Sequence, residues 1–171
     1  MSKKELIWNP DIYLQFASER IQPSIDLINR INLLHPKHIL DVGCGPGNST
    51  QILKSRWPHA SIVGIDNSPD MIKNAKETYP QQKFILQDIQ TMKSKKKHDI
   101  VFSNAVLQWI PNHEKVFAKL LDLTVNEGII AVQVPQTNEM PITRIIESVY
   151  NTMFPDSTFN ISNYLTFNTS N

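Results

Sequence analysis

The stretch Ile39-Leu40-Asp41-Val42-Gly43-Cys44-Gly45-Pro46-Gly47-Asn48-Ser49-Thr50 decides the fold. An apolar run carries Asp41 near its end, three glycines follow at alternate positions, and the chain enters a polar helix start. Glycine tolerates positive φ and has no side chain, so a strand, a glycine turn and a helix opening bring bare backbone up to a ligand. A nucleotide-like molecule suits such a place; a merely tight strand-to-helix turn is the other reading. A dinucleotide fingerprint, Gly-x-Gly-x-x-Gly, needs its third glycine at position 48, where this chain has Asn48.

Outward from that stretch, strands and helices alternate. Strands are expected at residues 37–42, 61–65, 83–87, 98–103 and 128–134. Helices are expected at 47–57, from Ser68-Pro69 to about 79, at 112–123 and at 141–154. In the helix over 112–123, Val116, Phe117, Leu120 and Leu121 form one apolar face. Near-continuous apolar strands joined by helical crossovers imply a parallel sheet covered on both faces. Right-handed connections make it doubly wound. The fold class is α/β, a Rossmann-like and mostly parallel sheet. Before it, a short helix over 12–18 and a second one opened by Pro23 form a cover. The division is a helical cover over 1–35, a ligand-binding domain over 36–154 and a tail over 155–171, one domain overall.

A chain of 171 residues with 40% hydrophobic and 19% charged residues is ordinary for a globular protein. A net charge of +1 offers no global attraction to nucleic acid. The lysine run at 93–97 lacks interleaved aromatics and reads as a solvated loop, so no nucleic-acid partner is expected. One cysteine, Cys44, suits a reducing compartment and reads as a buried spacer. Neither a membrane span nor a signal peptide is evident, so the expected location is cytoplasmic. Five histidines show no metal-ligand spacing, and no metal is expected.

Ligands of such sheets lie at the carboxyl ends of the strands, where Asp41, Asp66 and Asp88 all fall. Asp66 can accept both hydroxyls of a ribose, and Asp88 can meet an adenine amino group. Asp is also common at strand ends and helix caps, so each alone decides little. Together with the glycine loop they point to an adenosine-type cofactor. After the fourth strand, Asn104 begins a stretch containing Gln108 and Trp109. Trp109 either packs in the core or walls the pocket, where an aromatic face attracts a cation.

The glycine stretch resembles the first motif of the class I S-adenosylmethionine (SAM)-dependent methyltransferases. That resemblance implies the class I methyltransferase fold, with the loop backbone against the methionine part of the cofactor and Asp41 near its amino group. More specific segments are similar to the bacterial trans-aconitate 2-methyltransferase family. These are Trp8-Asn9-Pro10 with Tyr13, Phe16, Arg20 and Pro23, then Trp57-Pro58, 64–69, Asn104-Ala105, Leu107-Gln108-Trp109 and 131–135. The likeness covers residues 8 to 150 or so. It implies methyl transfer from SAM to a small-molecule carboxylate, giving a methyl ester. Cofactor contacts are expected from Asp41, Gly43, Cys44, Gly45, Gly47, Asp66, Asn67, Asp88, Ile89 and Asn104. Substrate contacts are expected from Trp8, Tyr13, Arg20, Gln108 and Trp109.

A carboxylate is ionised at neutral pH, its reference pKa being about 4, so no catalytic base is expected. Positioning and exclusion of water suffice. An acidic substrate does call for cations, Arg20 first and Arg144 second, although a solvated or salt-bridged surface arginine is the better reading of each taken singly. Class I methyltransferases usually add two strands after the fifth. Here only residues 164–167 offer a short one, so the C-terminal strands are expected to be short or missing. The fifth strand then has an open edge, which allows a monomer or a dimer through that edge. Two other functions stay open: a truncated or regulatory SAM-binding module without turnover, and a NAD-dependent oxidoreductase, the latter disfavoured by Asn48.

Overall fold

A computed structural model describes residues 17–135 and 141–153. Five strands, β1 (His38–Val42), β2 (Ser61–Asp66), β3 (Lys83–Leu86), β4 (His98–Asn104) and β5 (Thr124–Gln133), form one sheet in the order β3-β2-β1-β4-β5. Every neighbouring pair is parallel. Because β1 pairs with β2 on one side and β4 on the other, the strand order reverses there, and a crevice opens beyond their carboxyl ends.

Successive residues of β1 point to opposite faces, and both faces are buried. Ile39 joins Ile28, Leu53, Trp57 and Phe102 in one apolar layer. Leu40 joins Ile65, Val101, Val116 and Leu120 in the other. Full burial of each such side chain favours folding by about 1.5–3 kcal/mol, which is why β1 is mostly apolar around the buried Asp41.

Helix α1 (Ala17–Asn29) corrects the expectation that Pro23 opens a helix: Pro23 lies inside it. The proline removes one backbone hydrogen bond, at about 3 kcal/mol. Burial of Ile28 and, just beyond the helix, Ile31 on the first layer offsets that cost. Helix α2 (Asn48–Arg56) follows the glycine loop. Helix α3 (Pro69–Thr78) starts as its sequence requires, with Ser68 capping the Met71 amide and Pro69 in the first turn.

Helix α4 (His113–Asp122) buries Val116 and Leu120, but Phe117 and Leu121 are exposed. At about 100° per residue, positions 117 and 121 turn off the stripe that 116 and 120 share, so the expected four-residue face is half as wide. β5 begins four residues earlier than expected because Thr124 pairs with His98; the register shifts before Ile100 pairs with Ile129. Among the described residues β5 is an edge strand. Helix α5 (Pro141–Met153) exposes Ile145, Val149 and Met153 at four-residue intervals. The expected strand over 164–167, and Trp8 and Tyr13, lie outside the described residues.

Candidate functional site

The loop between β1 and α2 is fastened to the end of β2. The amides of Gly43 and Cys44 both donate to the Ile65 carbonyl, at 2.8 and 3.0 Å. Gly43 has φ +70°, and a Cβ there would sit 2.2 Å from Cγ2 of Val106. Gly45 has φ +54°, and its missing Cβ would face open space. One glycine lets the loop press on the β4 side; the other leaves backbone bare before a cavity.

That cavity has a volume of about 450 Å³ and lies across the carboxyl ends of the first four strands. Pockets for cofactor-sized molecules span roughly 300–1,000 Å³. Gly43, Gly45, Asp66, Asn67, Asp88 and Ile89 line it, and these are among the residues expected from sequence. Asp66 is half-buried; its Oδ2 accepts from the Gly45 amide at 2.9 Å and its Oδ1 from the Ser68 amide at 2.9 Å. Each carboxylate oxygen keeps a further lone pair for a ligand hydroxyl. Asp88 accepts the Gln90 amide on Oδ1 at 2.8 Å, which orients it likewise. The far wall is Ala105, Val106, Trp109 and Ile110, around a single 3₁₀ turn (Leu107–Trp109). Trp109 is 68% exposed and lines the cavity, so packing in the core is not its role.

Other expected residues are placed elsewhere. Asp41 is buried beneath the loop, where its Oδ2 accepts the hydroxyls of Ser49 at 2.7 Å and Thr50 at 2.6 Å. Burial pushes its pKa up to about 6, against the two hydroxyl hydrogen bonds that lower it, with the nearby Asp66 charge adding to the rise. Cys44 is buried against Gly64, and burial first, then the charges of Asp41 and Asp66, push its thiol far up; a thiolate nucleophile is disfavoured. Gly47, Asn104 and Gln108 do not line the cavity. A Cβ on Gly47 would meet the rings of Phe84 and Tyr79, so the loop packs on β3 there. Asn104 has a buried Oδ1 without a hydrogen-bond partner among the described residues. Gln108 is buried and donates to the Ala105 carbonyl at 2.8 Å. Arg20 lies in α1 and Arg144 in α5, their side chains outside the description.

Sequence reasoning missed Met71, Ala105, Val106 and Ile110, which also line the cavity. Ala105 adopts φ +55° at the end of β4, costly for a residue with a Cβ and without a glycine to announce it. Val106 and Ile110 read as core. Met71 was legible only as the third residue of a capped helix whose first turn faces the crevice. The departure at Asn48 also finds its reason: its Oδ1 accepts the Tyr79 hydroxyl at 3.1 Å, tying α2 to the end of α3.

The methyltransferase-domain family model matches residues 35–163. Trans-aconitate 2-methyltransferase of Escherichia coli (strain SE11) is 42% identical over 151 residues, which are 87% of this chain and 60% of that protein. The protein of the same name from Shigella dysenteriae serotype 1 is 44% identical over 128 residues, 75% of this chain and 51% of that one. The chain thus spans only about 60% of the length of such relatives. Among solved structures, the plantazolicin methyltransferase BpumL in complex with SAH (S-adenosylhomocysteine) aligns with a TM-score of 0.54 and 26% identity, over 70% of this chain and 46% of that one. Streptomyces venezuelae DesVI aligns with a TM-score of 0.62 and 18% identity, over 72% of this chain and 54% of that one, a likeness of fold alone.

Proposed function

This chain belongs to the SAM-dependent methyltransferase family, and from that premise we propose that it transfers a methyl group from SAM to a small-molecule carboxylate of the trans-aconitate type. The observation that carries the reading is the cavity that joins the glycine loop, with bare backbone at Gly45, to the carboxylates of Asp66 and Asp88. These residues fit the cofactor chemically. A carboxylate fixed by two backbone amides is set to accept a ribose diol, and open space at Gly45 admits the methionine portion. When bound, SAM supplies an electrophilic methyl on a sulfonium.

The chain's own part is then to hold and exclude. Asp66 takes the ribose, Asp88 and Ile89 the adenine side, and Trp109 closes the outer wall. Asp41 acts from below, bracing the helix opening through Ser49 and Thr50. Gln108 likewise positions Ala105 from beneath the rim. An acceptor carboxylate is already anionic at neutral pH, so alignment and a dry site replace a base. Arg20, with Trp8 and Tyr13 of the helical cover, is assigned to the acceptor. The chain acts in the cytoplasm as a monomer, or as a dimer through the β5 edge. Incubation with SAM and trans-aconitate, read by mass spectrometry, tests the reading. A methyl ester formed in many turnovers is expected; none beside intact SAH binding contradicts it.

A second reading, cofactor binding without turnover, has its own observation. The described residues that line the cavity include two carboxylates and neither lysine nor arginine. SAH binding with no ester formed from any carboxylic acid offered is its signature.

A further inference from the structure

A second cavity, of about 650 Å³, lies at the opposite end of the sheet, where β1 and β2 begin and α2 ends. His35, Lys37, His38, Arg56 and His59 line it together with Trp57, and among the described residues its lining holds no aspartate or glutamate. The cationic side is built in advance. Arg56 donates from a guanidinium nitrogen to the Ile31 carbonyl at 3.1 Å and lies 5.0 Å from the centroid of the Trp57 ring. The indole is locked in turn, its Nε1 donating to the Leu33 carbonyl at 3.1 Å. A guanidinium has five donors, so most of this fork is left to a ligand. His38 adds a buried Nδ1 that has no hydrogen-bond partner among the described residues.

A cation in the last turn of a helix is explained by the helix dipole, and that covers Arg56 alone. Lys37 and the three histidines come from outside α2. The neighbouring carboxylate, Asp99, is occupied with the backbone amides of Lys37 and His38, at 2.8 and 2.7 Å. Among the described residues none of the five basic side chains forms an ion pair. Nor do the described residues contain a set of histidine, cysteine and carboxylate ligands that would hold a metal.

We propose that this cavity binds a small organic polyanion, its carboxylate or phosphate groups on Arg56, Lys37 and His59 and its carbon body against the exposed Leu34. The site is independent of the methyltransferase reading, since it shares no residue with the first cavity. Calorimetric titration of the whole chain with citrate, and separately with glycerol 3-phosphate, tests it. Salt near 150 mM screens nonspecific attraction beyond about 8 Å. One-to-one binding with Kd below about 1 mM is expected for at least one anion; tighter citrate assigns a polycarboxylate, tighter glycerol 3-phosphate a phosphate ester. Arg56→Ala, and the exposed pair Lys37→Gln with His59→Gln, should each weaken it about tenfold or more, the loss of at least one charged hydrogen bond. SAH affinity stays unchanged in these variants and reports on folding. Failure of both anions to saturate, or binding undiminished in the Lys37→Gln, His59→Gln variant, overturns the proposal.

Discussion

The backbone amide of Gly45 donates to Oδ2 of Asp66 at 2.9 Å, joining the loop after β1 to the end of β2. The carboxylate assigned to the ribose therefore also sets the loop assigned to the methionine portion. Asp66→Asn keeps the shape but loses the charge and turns an amide donor toward one of two N–H groups. Charge-assisted hydrogen bonds are worth about 1.5–3 kcal/mol, so SAH affinity should fall roughly 10- to 100-fold. Equilibrium dialysis with labelled SAH checks this.

Gly43 and Val106 make a second pairing with a sharp consequence. Gly43→Ala places a Cβ 2.2 Å from a Val106 methyl on a residue at φ +70°. Overpacking and positive φ together should cost about 2–5 kcal/mol. Val106→Ala removes the two nearest atoms, so the double variant should recover part of that loss. Urea unfolding of the four proteins measures the coupling.

Asp41 gives the fold a pH signature. Its carboxyl has a pKa near 6 in the folded chain against an ordinary 3.8, chiefly through burial. Between these values the native state binds more protons than the unfolded chain, so stability falls as pH rises, and above about 6 the whole penalty is present. Asp41→Asn removes this dependence. Its stability relative to wild type should rise by up to about 3 kcal/mol between pH 4 and 7, at 1.36 kcal/mol per pKa unit. Parallel curves in guanidinium unfolding would refute the assignment.

Trp109 should behave as a wall and not as a core residue. It is 68% exposed, so Trp109→Ala should alter stability by no more than about 0.5 kcal/mol. If its ring faces the sulfonium, SAM affinity drops by a few fold, as about 0.5–1 kcal/mol of cation–π attraction implies. Neutral SAH should lose less. Paired titrations of SAM and SAH against the variant separate charge from contact.

The sheet was legible because burial on both faces leaves a mark in the sequence: Ile39 and Leu40 point to opposite layers and both must be apolar. Strand-end acids and the glycine loop were legible too, since few residue types serve there. Two kinds of feature were not. Orientation around a helix, as at Phe117 and Leu121, depends on what stands opposite. Whether an acid faces a cavity or braces it from below depends on its place in the strand: Asp41, one residue before the end of β1, turns under the loop, whereas Asp66 ends β2 and lines the opening. Ala105 left no sign, because its backbone is imposed by the chain around it.

Calorimetric titration of the unmodified chain with SAH, and in parallel with NAD, tests the central claim most directly. One-to-one binding of SAH with Kd at or below about 100 μM, and no heat from NAD, is the predicted result. Saturable NAD binding with no heat from SAH would contradict the assignment of the first cavity.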